Sequence, residues 1–216
     1  MEKISLIIPV FNEEKNIKIL INEILKIDII EQLKEIIIVD DCSTDSSLIE
    51  IKNLQKITDK IFTLCHYSNR GQSKSLLTGI QNATTQTIVT IDADLQNNPI
   101  DIKKIVNTYF SDNDIKLVGG IRVNRKDSTI KKITSRIANF IRNQILRDDC
   151  IDTGCSLKIF DRDLFLSLPY FDGIHRFLPA LFKYKNSKNK YISVDHRNRK
   201  FGKSKYGTLD RAFKGF

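Results

Sequence analysis

Two hydrophobic patterns alternate along the first 121 residues of the chain. Short, continuous apolar runs rich in β-branched residues, which are typical of buried parallel strands, occupy residues 4–10, 35–40, 61–66, 86–92 and 116–121. Between them, apolar residues recur at spacings of three and four and predict amphipathic helices near residues 17–25, 43–57, 73–81 and 99–110. The first half of the chain therefore reads as strands alternating with helices.

This alternation predicts an α/β fold in which helices flank a mostly parallel central sheet. After residue 125 the alternation loosens, although nothing in the sequence suggests a linker or a repeat. We treat residues 1–216 as a single domain. Ligands of open α/β sheets bind outside the carboxyl ends of the strands, so the residues that follow each strand are the candidates for chemistry.

Two carboxylates, Asp92 and Asp94, follow the fourth predicted strand. Side chains alternate along a strand, so an Asp-x-Asp pair is expected to point one way, towards a single ligand. Hard oxygen ligands suit Mg²⁺ or Mn²⁺ that also carries substrate phosphates. The alternative is an ordinary strand end followed by a turn, where Asp is common.

Other strand ends carry polar groups as well. Asp40 and Asp41 end the second strand and could accept from a nucleotide base or ribose, whereas Asp45 could equally cap a helix. Residues 69–74 open a helix with a glycine and two cations, which suits a phosphate contact. This stretch is neither a Walker A loop nor a G-x-G-x-x-G fingerprint, so P-loop ATPases and Rossmann dehydrogenases are disfavoured.

Charge divides the chain into two halves. Residues 1–110 hold 12 Lys and Arg against 15 Asp and Glu, while residues 111–216 hold 23 against 11, within an overall net charge of +9. The basic half predicts a surface for anions. Within it, apolar and basic residues alternate along residues 130–147 as in an amphipathic helix, which either packs on the core or lies on an anionic membrane.

Composition limits the class of protein further. No apolar stretch reaches the ~18–20 residues of a membrane span, and the first residues lack the apolar core of a signal peptide. The four cysteines show no C-x-x-C spacing, so we expect buried free thiols of a cytoplasmic protein rather than zinc ligands or disulfides.

The combined motifs resemble the family 2 glycosyltransferases with a GT-A fold, which bind nucleotide-diphospho-sugars. The resemblance covers essentially the whole chain and rests on Ser5-Leu6-Ile7-Ile8-Pro9-Val10-Phe11-Asn12-Glu13, Val39-Asp40-Asp41-Cys42-Ser43-Thr44-Asp45, Asn69-Arg70-Gly71 and Asp92-Ala93-Asp94-Leu95-Gln96. Residues 152–160, 175–179 and 196–206 are similar to polyprenyl-phosphate glycosyltransferases of the dolichol-phosphate mannosyltransferase type. The resemblance implies a nucleotide and metal half at residues 1–121 and an acceptor half at 122–216.

Carried over position by position, the resemblance implies four groups of site residues. The nucleotide would be held by Pro9, Phe11, Asn12, Glu13, Asp40, Asp41, Asp92 and Ala93. Mg²⁺ or Mn²⁺ would be bound by Asp92, Asp94 and Gln96. The acceptor phosphate would face Arg122, Ser135, Arg136, Arg199 and Lys205, and catalysis would depend on Asp92, Asp94 and Arg199.

The implied reaction moves a hexosyl group, mannose or glucose, from a GDP- or UDP-sugar to dolichyl or undecaprenyl phosphate at the cytoplasmic face of the membrane. The protein would associate peripherally with that membrane. The alternative within the family is a saccharide or protein acceptor in cell-envelope glycan synthesis. A basic, non-enzymatic module is disfavoured by the converging acids, and we expect no nucleic-acid partner. If the interpretation is correct, Asp94 and Arg199 must share one cavity.

Overall fold

The structure is a computed structural model that describes residues 2–123 and 149–201. These residues form seven strands and six helices. The strands are β1 Ile4–Val10, β2 Leu33–Asp40, β3 Ile61–Cys65, β4 Thr87–Thr90, β5 Ile115–Val123, β6 Lys158–Asp161 and β7 Lys188–Asp195. The helices are α1 Ile17–Ile24, α2 Ser47–Gln55, α3 Gln72–Asn82, α4 Asp101–Tyr109, α5 Arg162–Leu166 and α6 Ile174–Tyr184.

All seven strands join one sheet in the order β3-β2-β1-β4-β6-β5-β7. The first four strands run parallel to one another, and β5 is parallel to β7. Strand β6 is antiparallel to both of its neighbours, β4 and β5. The predicted α/β fold with a mostly parallel sheet is confirmed, and its two parallel parts are joined by one reversed strand.

Each face of the sheet is covered by a separate apolar layer. One layer packs α1, α2 and α4 against the sheet through fully buried side chains such as Leu20, Ile51 and Ile105. The other packs α3 and α6 against it through Leu76, Phe160 and Phe182 among others. Strands buried on both faces explain why β1 and β2 are almost continuously apolar.

The predicted elements match the observed ones with shifts of a few residues at their ends. Strand β4 ends at Thr90, two residues before the predicted end at residue 92, so both Asp92 and Asp94 lie in the loop beyond it. Helix α2 begins at Ser47 instead of residue 43, because Asp45 accepts from the backbone N–H of Ser47 at 2.9 Å and thereby marks the helix start.

Two further expectations concern the membrane and the cysteines. None of the helices in the described residues has the length and apolar character needed to cross a bilayer. The four cysteines are free thiols, as predicted, but only Cys150 and Cys155 are buried. The expectation was wrong for Cys65, which is exposed at the end of the edge strand β3, and for Cys42, which is partly exposed in the loop after β2.

Part of the basic half lies outside the described residues. This applies to the amphipathic pattern at residues 130–147 and to three predicted acceptor residues, Ser135, Arg136 and Lys205.

Candidate active site

The candidate site lies at the carboxyl edge of the parallel strands, where the loops after β1 and β2 are joined by side-chain hydrogen bonds. The backbone N–H of Asn12 donates to Ser43 Oγ at 2.9 Å, and the backbone N–H of Thr44 donates to Asn12 Oδ1 at 2.8 Å. Asn12 adopts a left-handed backbone with φ of 54°, a conformation that Asn tolerates better than most residues. Together these contacts hold the two loops as one rim.

Glu13 continues this rim towards the interior of the site. It is 7% exposed, its backbone N–H donates to Ser47 Oγ at 2.7 Å, and its Oε2 accepts from Asn16 Nδ2 at 2.6 Å. The structure therefore holds Glu13 rigidly beside the loop. Its neighbours in the predicted nucleotide set, Pro9 and Phe11, are partly buried along the same edge.

Asp40 and Asp41 are adjacent in sequence but differ in their contacts. Asp40 is buried, its Oδ2 accepts from the backbone N–H of Ser43 at 3.2 Å, and its Oδ1 has no hydrogen-bond partner among the described residues. Asp41 accepts from the backbone N–H groups of Arg70 and Gly71, both at 2.8 Å, and contacts His66 Nδ1 at 2.7 Å.

The two acids therefore differ in whether they have a carboxylate oxygen available for a ligand. A buried acceptor without a partner is costly, so Asp40 Oδ1 is suited to a ligand donor. The carboxylate of Asp41 holds the loop that starts α3, and a nucleotide contact by Asp41, which stays a prediction, would compete with these three hydrogen bonds.

The loop after β4 carries the predicted metal residues. Asp94 is 8% exposed and its Oδ1 accepts from the backbone N–H of Gln96 at 3.1 Å. Between them Leu95, which is 1% exposed, adopts a left-handed backbone with φ of 63°. A non-glycine residue in this conformation stores on the order of 1 kcal/mol of strain. Burial of the Leu95 side chain holds the turn in place, and Ala93 is also buried.

Asp92 faces a different set of neighbours. Its Oδ1 accepts from Gln72 Nε2 at 2.7 Å, and its backbone N–H donates to Ser156 Oγ at 3.2 Å. Burial, together with the nearby charge of Asp94, raises the pKa of Asp92 to about 7. Because the charge of Asp94 acts on Asp92 and makes it reluctant to ionise, the pair of carboxylates favours a cation.

Arg199 joins the acidic rim to the chain that follows β7. Its Nη2 donates to Asp94 Oδ2 at 2.6 Å, and its Nη1 lies 3.9 Å from Glu13 Oε1. The guanidinium is partly buried between these two acids. Asp94 and Arg199, which were expected to share one cavity, are therefore in direct contact.

Further contacts attach the same segment to the loop after β4. His196 forms an isolated β-bridge with Asn97, and the backbone N–H of Arg197 donates to the carbonyl of Gln96 at 2.8 Å. The side chain of Arg197 donates to Glu23 and Asn98, each at 2.6 Å. Residues 195–199 are consequently fixed onto the loop that carries both aspartates.

Arg122 stands at the end of β5 and is paired with Asp152. Its Nε and Nη2 donate to the two carboxylate oxygens of Asp152, each at 2.7 Å. Such a bidentate pair fixes the orientation of the guanidinium. A Cβ at Gly154 would lie 2.8 Å from Arg122 Nη2, so a larger residue there would displace the guanidinium. Both carboxylate oxygens of Asp152 are thus engaged by Arg122.

The residues around Asp92 and Asp94 fit a divalent cation that brings substrate ligands of its own. Among the described residues no group of three or more His, Cys, Asp or Glu side chains is arranged to hold a metal. Mg²⁺, however, is commonly bound through one or two carboxylates, substrate phosphates and water. A carboxylate has about four lone-pair sites, so Asp94 can accept from Arg199 and still offer an oxygen to a metal.

Several residues of this site were not predicted from the sequence as site residues. Gln72 and Ser156 hold Asp92, and Arg197 holds the segment that carries Arg199. Gln72 lies in the glycine-containing stretch 69–74, and the other two lie inside stretches that carry the family resemblance. Position in a motif was the available signal, but only the folded chain shows which carboxylate each residue contacts.

Comparison with known proteins assigns the chain to a family. A family model described as glycosyl transferase family 2 matches residues 5–168. Undecaprenyl-phosphate 4-deoxy-4-formamido-L-arabinose transferase from Yersinia pestis (strain Pestoides F) is 31% identical over 211 residues, and the enzyme of that name from Pectobacterium carotovorum subsp. carotovorum (strain PC1) is 32% identical. The alignments cover 97% of this chain but 64% of the relatives' length.

Solved structures agree on the fold. Glucosyl-3-phosphoglycerate synthase from Mycobacterium tuberculosis, in complex with Mn²⁺, UDP and phosphoglyceric acid, superimposes with a TM-score of 0.70 at 19% identity and covers 92% of this chain and 72% of that one. A mannosyltransferase from Pyrobaculum calidifontis in complex with GDP-Man and Mn²⁺ gives 0.67 at 17% identity, covering 89% and 56%. The chain belongs to glycosyl transferase family 2 and has the GT-A fold.

Proposed function

We propose that this chain is the catalytic domain of an inverting glycosyltransferase that moves a sugar from a GDP- or UDP-sugar to a polyprenyl phosphate. The observation that carries the proposal is the contact between Arg199 and Asp94. It joins an acidic rim suited to a metal-bound diphosphate with a basic segment suited to a second phosphate. The names of the relatives, which include undecaprenyl-phosphate transferases, support a lipid phosphate as the acceptor.

The nucleotide would lie over the ends of β1 and β2. Asp40 Oδ1 is an acceptor without a partner among the described residues, and a base or ribose donor would satisfy it. Asn12 and Glu13 are fixed on the same rim by hydrogen bonds to the loop after β2. A site held in place before binding loses less entropy when the nucleotide binds.

The metal, Mg²⁺ or Mn²⁺, would be held by Asp92 and Asp94, with Gln96 beside them. When bound, it would stabilise the negative charge that develops on the departing diphosphate. Gln72 and Ser156 would keep Asp92 aimed at this position, and the turn at Leu95 would do the same for Asp94. Mn²⁺ or Mg²⁺ in the solved relatives supports this assignment.

The acceptor phosphate would be drawn to Arg199 and Arg122. A phosphate monoester has a second pKa near 6, so a polyprenyl phosphate is largely dianionic at neutral pH and needs no strong general base. It needs cations that hold it close to a second, negatively charged group, which arginine forks supply. Attack of its oxygen on the anomeric carbon in one displacement inverts the configuration of that carbon.

The described acids argue against a hydroxyl acceptor. A saccharide or protein hydroxyl would require a carboxylate base on the acceptor side. Asp152 lies there, but both of its oxygens accept from Arg122. We therefore favour the phosphate acceptor over the alternative. The protein would work at the cytoplasmic face of a membrane, bound peripherally to it.

The test is an assay with undecaprenyl or dolichyl phosphate and a panel of GDP- and UDP-sugars, with and without Mn²⁺. Transfer to the lipid with inverted configuration in the NMR spectrum of the product is the expected result. Retained configuration would exclude a single displacement. Transfer to a saccharide in the absence of lipid would favour the alternative acceptor.

A further inference from the structure

The loop between helices α5 and α6 presents aromatic side chains at the surface. Residues 169–172 are all exposed, and among them Tyr170 is 44% and Phe171 38% exposed. The ring centroid of Phe171 lies 5.7 Å from that of Phe177, which is partly buried in the first turn of α6. We call Tyr170, Phe171 and Phe177 the aromatic patch. Adjoining large apolar side chains at a surface, unlike single ones, indicate a binding partner.

Basic side chains lie beside the aromatic patch. Lys74 Nζ is 5.4 Å from the centroid of the Tyr170 ring, within the range of a cation–π contact. Arg70 is exposed and close enough for its charge to act on the Tyr170 hydroxyl. Arg176 belongs to the first turn of α6. Residues 69–74 and 169–177 together contain these three cations and one acid, Asp172, so the aromatic patch has positively charged surroundings.

The aromatic patch lies beside the candidate active site. The backbone N–H of Gly173 donates to Ser73 Oγ at 2.8 Å, and the same oxygen lies 2.8 Å from His175 Nδ1. These contacts attach the loop to the first turn of α3, where Gln72 contacts Asp92. Helix α3 follows β3, so its first turn lies at the carboxyl edge of the sheet, and the loop lies there with it. A partner bound at the aromatic patch therefore meets the edge that carries the proposed acceptor site.

The size and charge of this surface favour a bilayer over a protein partner. Rings as exposed as those of Tyr170 and Phe171 present together at most about 200 Å² of surface. A stable protein interface takes about 800 Å² from each partner, more than half of it apolar. A membrane surface has no such requirement, because amphipathic aromatic side chains are favoured at the headgroup level and anionic lipids attract the cations beside them.

We propose that residues 169–177, with Arg70 and Lys74, form a membrane-docking surface from which Tyr170 and Phe171 enter the headgroup region of an anionic leaflet. The inference rests on the proposed function, from which it takes the lipid acceptor, and adds the part of the protein that touches the bilayer. The cations would lie among the lipid phosphates. This contact would hold the carboxyl edge of the sheet against the leaflet in which the acceptor phosphate is presented.

A single tryptophan reports on this contact directly. The chain contains no tryptophan, so Tyr170→Trp introduces one indole within the aromatic patch. Tyr184→Trp is the matched control, because Tyr184 is 82% exposed at the other end of α6, about 15 Å along the helix from Ile174. At low salt, vesicles of phosphatidylglycerol with brominated acyl chains should quench the fluorescence of Tyr170→Trp strongly and that of Tyr184→Trp little.

Two results would overturn the inference. Equal quenching in both variants would show that the aromatic patch is not the preferred contact. Absence of quenching in Tyr170→Trp, whether or not the protein sediments with the vesicles, would exclude a bilayer and leave a protein as the partner of the aromatic patch.

Removal of the exposed rings gives a second, independent measurement. The double variant Tyr170→Ser/Phe171→Ser should bind phosphatidylglycerol vesicles roughly tenfold less tightly, because it loses the apolar part of the contact. Tyr184→Ser should bind them like the unmodified protein. Unchanged vesicle affinity in the double variant, with a native circular dichroism spectrum, would also show that the docking surface is wrong.

Activity measurements separate this inference from the proposed function. The double variant should lose transfer to undecaprenyl phosphate in vesicles but retain transfer to a water-soluble, short-chain polyprenyl phosphate, since neither substituted residue belongs to the candidate active site. If the unmodified protein uses neither acceptor while Tyr170→Trp is quenched, the proposed function fails and the docking surface stands. If the short-chain acceptor is used and Tyr170→Trp is not quenched, only the docking surface is wrong.

Discussion

At the scale of single residues, Arg199 has two tasks that can be separated by experiment: it compensates the charge of Asp94, and it is proposed to bind the acceptor phosphate. Without a metal, its guanidinium is the counter-charge observed for Asp94 and lies near Glu13. Replacing Arg199 by Met should leave buried acids less well compensated and lower the free energy of unfolding by about 1–2 kcal/mol. A divalent cation with UDP or GDP should restore the missing positive charge.

We therefore expect Mn²⁺ with nucleotide to raise the melting temperature more in Arg199→Met than in the unmodified protein. Differential scanning fluorimetry with and without Mn²⁺ measures this difference. Arg162→Met is the matched control, because Arg162 donates to backbone carbonyls of α3 away from the acidic rim. An equal Mn²⁺ effect in all three proteins would show that Arg199 and the cation do not share the rim.

The Arg199→Met variant should also use lipid phosphate poorly as an acceptor while it binds the nucleotide normally.

Asp94 carries the most direct prediction about catalysis. Asp94→Asn keeps the shape of the side chain but removes the charge that a metal requires. Turnover should fall by about 10³-fold or more, as when a main electrostatic contact of a transition state is lost. Asp163→Asn is the control, since Asp163 is an exposed acid on α5. Full activity in Asp94→Asn would show that the metal assignment is wrong.

His175 predicts how the protein responds to acid. Its pKa is lowered to about 3 by burial, whereas an unfolded histidine titrates near 6.5. The unfolded state therefore takes up a proton first, and the stability contributed by the neutral ring is complete above pH 6.5 and is lost as the pH falls towards 3. The loss should reach on the order of 2 kcal/mol, and His175→Gln should remove it.

Urea unfolding at several pH values measures this effect. The difference in free energy of unfolding between the unmodified protein and His175→Gln should change steadily between pH 6.5 and pH 4. A difference that is constant over this range would mean that His175 takes up its proton equally readily in the folded and the unfolded protein.

At the scale of secondary-structure elements, the close approach of α3 to the sheet is set by one glycine. A Cβ at Gly79 would lie 2.5 Å from Ile7 Cγ2 and 3.2 Å from Val39 Cγ2. Gly79→Ala should therefore destabilise the protein by about 1–3 kcal/mol despite the better helix propensity of alanine. Gln81→Ala, on the exposed side of the same helix, should be close to neutral.

Chemical unfolding with circular dichroism detection measures both variants. A second consequence follows from the position of α3, whose first turn holds Asp92 through Gln72 and His175 through Ser73. If the helix is pushed away from the sheet, sugar binding should weaken together with stability. A Gly79→Ala protein with unchanged stability would show that Ile7 and Val39 can repack around the added methyl group.

The elements also show what the sequence could and could not predict. Continuous apolar runs identified β1 and β2 because both faces of these strands are buried, and helical spacing identified α1 and α4. The antiparallel direction of β6 could not be read from four residues, because direction is set by the partner strands. The end of β4 was placed too late, since Ile91 is buried beyond the strand and continues its apolar run.

The site residues also differ in whether they could be predicted from the sequence. Asp92, Asp94 and Arg199 could be found because each belongs to a motif at a strand end. Gln72 and Ser156 could not, because they contact Asp92 from positions that are 20 and 64 residues away in the sequence. The sequence also could not distinguish Asp40, which retains an unpartnered oxygen, from Asp41, whose carboxylate holds the loop before α3.

At the scale of the whole molecule, the uneven charge predicts how the protein meets a membrane. The net charge is +9, and the excess of basic residues lies in residues 111–216, where the proposed acceptor site is. Attraction between such a surface and anionic lipids acts over about one Debye length, which shortens from about 10 Å at 0.1 M salt to 3 Å at 1 M. Binding should therefore depend on both lipid charge and salt.

We expect the protein to sediment with vesicles of phosphatidylglycerol at low salt and to be released by about 0.5 M NaCl, and to bind phosphatidylcholine vesicles weakly throughout. Arg122→Gln tests whether the candidate active site takes part in vesicle binding, and Arg162→Gln on α5 is the control. Salt-independent binding to both kinds of vesicle would mean that apolar contacts dominate. A peripheral enzyme that uses charge in this way holds its acceptor surface against the leaflet that presents the lipid phosphate, so the cations that bind the substrate would also orient the protein.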